Sequence, residues 1–367
     1  MAGGWPWISH STSPLVLQSG SRTGDRIVFH SDENGGISYI PIDITAKESK
    51  KTLIPQMPRK LDFDPDKDIP RLTGKVILIT GGTAGLGRET LLSFAAHDPS
   101  RIFFTGRSQT SADEVLQEAR TRYPSTPVSF IPCNLASLTH VRDAARTILA
   151  RTDRLDLAFM NAGIMAVAPG LTEDGYEIQF GTNHLGHALL VKLLTPLLEA
   201  TAKTTGDVRV VWNTSQGYAG HPRGGIIFDR LKTDMHDFLL APWQLYGQSK
   251  LANMLYAKAY NRHHPDILSV AVHPGVAYTG LVTGMSWGNR MFTYLSTWRV
   301  RISAEQCAWN QQWAATAARG EGKGEVRTGV YYEPVGVETK VMRQGGDDEL
   351  GEKLWEWTDE ELRGYQL

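Results

Sequence analysis

Cysteine is nearly missing from this chain: 367 residues carry only Cys133 and Cys307, far apart and without metal-ligand neighbours. That scarcity argues against a disulfide framework and a cysteine-built zinc site, and it fits a reducing, intracellular compartment. An excess of either charge is also lacking. With 38 basic and 39 acidic side chains the formal net charge is -1, so no global field recruits nucleic acid or an anionic membrane surface. Long apolar runs are scarce too. The best helical stretch, Leu189 to Leu198, is interrupted by Lys192 and Pro196 and falls below the ~18 apolar residues of a membrane span, so no transmembrane anchor is expected. The first 24 residues lack both the apolar core of a secretory signal and the repeated Arg of a transit peptide. A cytoplasmic protein is the expectation, with targeting by the N-terminal segment left open.

What is present is a globular composition, 41% hydrophobic and 21% charged, on a chain long enough for one large domain with additions or for two. Residues 1–70 stand apart, with Gly, Ser, Pro and mixed charge and a Pro-interrupted run from Pro55 to Pro70. Within them, Arg26 to His30 and Gly36 to Ile42 flank the turn signal Glu33-Asn34-Gly35-Gly36 and predict a β-hairpin. We read 1–70 as an appendage and 71–367 as one main domain.

In that domain short apolar runs at Lys75 to Thr80, Arg101 to Thr105, Val128 to Pro132, Leu157 to Asn161, Val208 to Asn213, Ile267 to His273 and Val330 to Glu333 read as strands. Helical stretches fall between them: Arg88 to His97, a helix from Ser111 with Glu114 at capping-box spacing, Leu138 to Thr152, and a long one around Tyr176 to Leu198. The alternation predicts an α/β fold, a doubly wound, Rossmann-like parallel sheet with helices on both faces. Ligands in such sheets bind beyond the carboxyl ends of the strands.

Directly after the first of these strands comes Thr80-Gly81-Gly82-Thr83-Ala84-Gly85-Leu86-Gly87, leading into a helix. Glycines permit the tight turn and close backbone approach, and the helix amino terminus offers free N–H groups to a pyrophosphate. Further on, Tyr246-Gly-Gln-Ser-Lys250 places Tyr and Lys four apart, on one face of a helix. Alone, such a pair is usually an exposed helical contact; beside a phosphate cradle it is an acid/base pair, the ammonium favouring the phenolate.

The TGxxxGxG spacing followed by YxxxK resembles the short-chain dehydrogenase/reductase family, over about Lys75 to the C-terminus or roughly four fifths of the chain. That resemblance implies a nicotinamide cofactor held by Thr80, Gly81, Thr83, Ala84, Gly85, Leu86 and Gly87. At the end of the second strand, Thr105-Gly106-Arg107 has no acid where NAD-selective members bind the adenosine ribose. Arg107 offers a cationic fork to a 2′-phosphate instead, so NADP(H) is the expected cofactor, with a solvated surface Arg as the alternative. Asn134-Leu135 stands where the family has Asp-Leu beside adenine, and the neutral Asn134 alters that contact. Asn161-Ala162-Gly163 after Met160 resembles the NNAG motif, and Pro274, Gly275, Val276 and Thr279 resemble the PGxxxT segment that contacts carboxamide and pyrophosphate.

Asn183, Ser215, Tyr246 and Lys250 match the family's catalytic set. By resemblance, Asn183 holds a relay water and Ser215 orients the reacting oxygen. Tyr246 moves the proton, while Lys250 binds the nicotinamide ribose and lowers the Tyr246 pKa. His184 and His187, at i, i+3, are read as packing residues, and no metal is expected. An insertion, Gln216 to Trp243, is expected beside the substrate entrance, with His221, Phe228, Met235, His236, Phe238 and Trp243 as specificity candidates. About 281–302 falls where the family carries its substrate lid. Its Met, Trp, Phe and Leu suit an apolar or aromatic small molecule, or equally complete a core or an oligomer interface. Tyr331-Tyr332-Glu333-Pro334-Val335-Gly336 and Leu354-Trp-Glu-Trp357 resemble fungal retinol-dehydrogenase-like members.

The implied activity is carbonyl–alcohol interconversion. A catalytically silent nucleotide-binding regulator on the same fold is the alternative. The epimerase or dehydratase branch also uses Tyr and Lys, but with different glycine spacing and a larger C-terminal domain.

Overall fold

The computed structural model describes residues 61–277 and 301–367, together with the backbone of 28–31 and 37–40. The chain divides into two compact units, Met1–Met57 and Pro58–Leu367. In the first, β1 (Val28–Ser31) pairs antiparallel with β2 (Ile37–Ile40), Val28 opposite Ile40, as the alternation around the Asn-Gly pair predicts. The turn itself lies outside the described residues.

The second unit begins at Pro58 rather than near residue 71. Its early residues belong to the core: Phe63, Ile69 and Leu72 are buried around the short helix α1 (Pro65–Asp68), which Asp64 caps through the Asp66 N–H. The sheet follows. β3 (Val76–Ile79), β4 (Arg101–Gly106), β5 (Val128–Pro132), β6 (Leu157–Met160), β7 (Val208–Asn213) and β8 (Ile267–Val272) alternate with α2 (Gly85–Ala95), α3 (Gln109–Arg122), α4 (Leu138–Leu149), the pair α5 (Ile178–Phe180) and α6 (Gly186–Thr205), and α7 (Ala241–His263). After β8 come the two-residue strands β9 (Val276–Ala277) and β10 (Arg301–Ile302), α8 (Ala304–Thr316), β11 (Tyr331–Glu333), β12 (Val337–Glu338) and α9 (Asp348–Glu361). The eight-stranded sheet has the order β12-β11-β8-β7-β6-β3-β4-β5 and is parallel except for β12. β12 is too short to leave a pattern in the sequence.

Side chains alternate between two cores, as the two-residue period of a strand requires. Leu78 and Phe103 pack with α4, α6 and α7, whereas Ile77, Ile79, Ile102 and Phe104 pack with α2 and α3 and with Trp313 of α8. Both faces are covered, and the continuous apolar strands are the consequence.

Two local expectations shift. Helix α3 starts earlier than Ser111, because Ser108 rather than Ser111 is the cap and accepts from the Ser111 N–H at 3.2 Å. The span Ile178–Thr205 is long and apolar enough to cross a membrane by composition alone, but 78% of its apolar window is buried inside this unit, so it is a core helix. It runs through Pro196 because Leu193, Leu194, Leu197 and Leu198 are all packed around the missing N–H.

Phe159 sits at the centre of β6, fully buried, with its ring 5.5 Å from Phe94 of α2. Phe159→Ala is expected to lower the unfolding free energy by about 3–5 kcal/mol, measured by denaturant titration with the folded baseline retained.

Candidate active site

The strand ends β3, β4, β6, β7 and β8 converge on one edge of the sheet, and the sequence places its polar motifs there. Gly81 has φ +69°, and a Cβ on it would come 2.9 Å from Cβ of Ala162. A Cβ on Gly87 would press on the Gly81 carbonyl oxygen and lie 2.7 Å from Asn161 Nδ2. Only hydrogen fits at either position, so the loop closes tightly on the end of β6. Helix α2 has no side-chain cap, which leaves its first N–H groups for an anion. The cradle fits a dinucleotide pyrophosphate.

Thr80 ties the loop to the neighbouring strand. Its hydroxyl accepts from the Asn161 and Ala162 N–H groups at 2.9 and 3.0 Å and lies 2.9 Å from His187 Nε2. Because His187 Nδ1 donates to the Asn183 carbonyl at 2.8 Å, Nε2 is the acceptor, and burial pushes this imidazole down to about 4, keeping it neutral. His184 is packed between the rings of Phe180 and Tyr256, with Nε2 3.3 Å from Thr358 Oγ1. The two histidines serve packing and hydrogen bonding; no group of three side chains that could hold a metal occurs among the described residues.

Asn183 sits in a π-helical turn, Gly181–Leu185, between α5 and α6. Such a turn carries one extra residue and turns a side chain off the helix face. Asn183 Oδ1 accepts from the Ile164 N–H at 2.8 Å, and Nδ2 donates to the Ile164 carbonyl and to Ser249 Oγ, both at 2.9 Å. Gln179, just upstream, accepts from the Ala166 N–H and donates to the Pro242 carbonyl, each at 2.8 Å. Together they pin the loop after β6 to the first turn of α7.

Tyr246 and Lys250 lie one turn apart on α7, each 5% exposed. Lys250 Nζ donates to the Asn213 carbonyl at 3.1 Å and lies 5.8 Å from the centre of the Tyr246 ring. Gly163 leaves room for it: a Cβ there would come 3.4 Å from Nζ and 3.0 Å from Asn183 Oδ1. Ser215 caps the 3₁₀ turn Gln216–Gly220, its Oγ accepting from the Gly217 N–H at 3.0 Å. The four residues matched to the catalytic set therefore stand together beside the glycine loop.

The protonation balance differs from the sequence expectation. Burial pushes the Tyr246 phenol up to about 12 despite the lowering effect of its hydrogen bond with Ser215, and burial brings Lys250 down to about 8. In the protein's own atoms burial outweighs the Ser215 hydrogen bond at the phenol.

Arg107 at the end of β4 is exposed and makes no ion pair among the described residues, in contrast to Arg88, which is paired with Glu89 at 2.6 Å and with Glu118. Asn134 is engaged with its own surroundings, accepting from the Ala136 N–H and donating to Glu173, both at 3.2 Å. Leu135 is buried. Pro274, Gly275 and Val276 follow β8, with Gly275 at φ +93°, while Thr279 and most of the expected lid lie outside the described residues.

Within the insertion, most of the candidates have partners of their own. Met235 is fully buried, Phe228 packs on Trp357, Phe238 lies under Arg230 at 4.9 Å, His236 hydrogen-bonds Asp234, and the His221 ring folds back on the Pro222 carbonyl. Trp243 instead packs with Met165 against Ala166, next to exposed Leu239 and Leu240. Sequence reasoning missed Gln179, Asn213 and Gln311 because amides carry no local signature. Glu177 was missed as well, although an acid just before a helix is a recognisable cap.

A doubly wound α/β domain with a glycine cradle at one strand end and a buried Tyr-Lys pair at another defines a nucleotide-dependent oxidoreductase class. Comparison with known proteins narrows it. Residues 75–221 match the family described as short chain dehydrogenase. A short-chain dehydrogenase/reductase of Armillaria gallica is 31% identical over 303 residues, covering 81% of this chain and 93% of the relative. Mouse polyprenol dehydrogenase is 34% identical over 309 residues, covering 82% and 88%. Among solved structures, L-sorbose reductase from Gluconobacter frateurii, complexed with NADPH and L-sorbose, superposes with a TM-score of 0.55 at 17% identity over 75% of this chain and 100% of the other. The chain belongs to the short-chain dehydrogenase/reductase family of oxidoreductases.

Glu177 caps α5 from a fully buried position, its carboxylate accepting from the Gln179 and Phe180 N–H groups at 3.0 and 2.6 Å, and burial pushes its pKa up to about 7. The folded chain thus keeps a proton that the unfolded chain has already released, and stability falls as pH rises through that window. Compared with Glu177→Gln, the natural chain should lose on the order of 3 kcal/mol between pH 4.5 and 7, read from denaturation curves at both pH values. A constant difference would contradict it.

Proposed function

We propose that this enzyme interconverts a carbonyl and an alcohol on an apolar small molecule, with NADP(H) as its cofactor. The observation that carries the reading is the assembly of Ser215, Tyr246, Lys250 and Asn183 side by side, next to a loop that only glycines can close. When bound, the nicotinamide supplies or accepts the hydride.

The chain's own residues do the rest. Tyr246 holds its proton through the neutral range, as burial dictates, and so is ready to give it to a carbonyl oxygen in the reducing direction. Ser215 hydrogen-bonds the same oxygen and fixes its distance from the phenol. Lys250, seated on the Asn213 carbonyl, would hold the nicotinamide ribose and would relay a proton from solvent to replace the one that Tyr246 gives up. Asn183 keeps the loop after β6 at the right height beside Lys250. Arg107, exposed and without an ion pair among the described residues at the strand end where the adenosine ribose binds in this fold, supports a 2′-phosphate. The apolar cluster of Met165 and Trp243 on Ala166 supports an apolar substrate, as does the likeness to a polyprenol dehydrogenase.

Tyr246→Phe should lower kcat for NADPH-dependent carbonyl reduction by about 100- to 10 000-fold with NADPH binding retained, followed at the nicotinamide absorbance across a carbonyl and alcohol panel. Full activity in this variant would reject the proton-transfer role, and NADPH binding without turnover by the natural chain would favour a silent nucleotide-binding protein. Arg107→Ala should weaken NADPH about tenfold or more while leaving NADH nearly unchanged; equal losses would refute the phosphate contact.

A further inference from the structure

Gln311 of α8 is fully buried and reaches two elements at once. Its Oε1 accepts from Asn213 Nδ2 at 2.6 Å, and its Nε2 donates to Thr90 Oγ1 and, at 3.5 Å, to the Leu86 carbonyl, both on α2. Asn213 Nδ2 also donates to Asn161 Oδ1 at 2.9 Å, and Asn161 Nδ2 donates to the Thr80 carbonyl at 2.8 Å. Three amides thus run in sequence from Thr80 to Leu86, the two ends of the glycine loop.

The direction of this chain is fixed. Thr80 and Leu86 present carbonyl oxygens, which can only accept, so Asn161 and Gln311 must each turn an NH₂ group toward the loop and an oxygen toward Asn213. Asn213 then has to spend both amide hydrogens on those oxygens, an orientation kept although it leaves Asn213 Oδ1 buried without a hydrogen-bond partner among the described residues. The main-chain oxygen of Asn213 meanwhile accepts from Lys250 Nζ at 3.1 Å and Asn253 Nδ2 at 3.2 Å. A displacement of Asn213 therefore moves the loop and the ammonium together.

We propose that Gln311 is a positioning residue that sets the glycine loop and Lys250 jointly, by completing the amide chain that ends on both. The inference rests on the nicotinamide-dependent reading above, and it adds a residue from α8, downstream of the glycine loop and of the Tyr246–Lys250 pair. It touches neither cofactor nor substrate; it acts through Asn213, Thr90 and Leu86.

The test uses the full chain, with NADPH affinity from fluorescence titration and kcat from turnover across pH. Gln311→Met keeps the length and removes both hydrogen-bonding atoms; it should raise the NADPH dissociation constant about tenfold and displace the pH profile of kcat. Gln311→Glu should regain NADPH affinity at low pH, where a protonated carboxyl accepts from Asn213 and donates to Thr90 in the same order, and lose it on ionisation. A merely structural residue would lower the melting temperature of Gln311→Met with NADPH affinity and pH profile unchanged, and that result would overturn the proposal. If Gln311→Met does not fold, Thr90→Val carries the same comparison, and unchanged affinity and profile there overturn it too. Failure of the natural chain to bind any nicotinamide would sink the functional reading and this inference with it; binding and turnover indifferent to all three variants would sink this inference alone.

Discussion

A lysine ammonium held out of water without a carboxylate to balance it is the constraint on which the rest of the site depends. Lys250 makes no ion pair among the described residues, and its charge is met by the carbonyl dipole of Asn213. A buried charge paired only with a dipole is expensive, and the depressed pKa expresses that cost. The surroundings must therefore be built before any ligand arrives. β7 ends where its last carbonyl faces α7, Thr214 Oγ1 donates back to the Lys250 carbonyl at 2.7 Å, and Asn253 shares the Asn213 oxygen. Each of these bonds joins a strand end to the one helix that carries both Tyr246 and Lys250.

Much of this arrangement was legible in the sequence where its cause is local. The two-residue alternation of Ile77, Leu78 and Ile79 across the sheet, the glycines before α2, and the four-residue spacing of Tyr246 and Lys250 each follow from neighbouring residues. Ser303 and Gln306 likewise form the capping box that their spacing announces. The misses have non-local causes. Ser111 had a suitable partner in Glu114, but Ser108 won the cap because the chain leaves β4 already turning. The direction of the Tyr246 pKa depends on burial by elements far along the chain. Gln311 lies 98 residues from Asn213, so no window of sequence could have paired them. The π turn that aims Asn183 at Ile164 is a backbone irregularity with no residue signature of its own.

The aromatic motif near the end of the chain has a structural explanation. Trp357 of α9 meets Tyr176, Phe180 and Phe228 edge-on or tilted, and Trp355 stacks on His263 at 4.2 Å and on Tyr256 at 5.0 Å. Tyr176 and Phe180 belong to the segment leading into the π turn, Tyr256 and His263 to α7, and Phe228 to the insertion between them. The last helix therefore clamps the two elements that bear Asn183 and Tyr246, using large rings whose contacts add to the area they bury.

β9 and β10 pair in parallel, Val276 beside Arg301, and so bring the two flanks of residues 278–300 to neighbouring positions. A stretch whose ends are already stitched together can change its length or composition at small entropic expense, since closing a loop costs only the logarithm of its size. Insertions or deletions between the two short strands therefore carry little closure penalty for the cradle, the phenol and the ammonium, which stand on other elements.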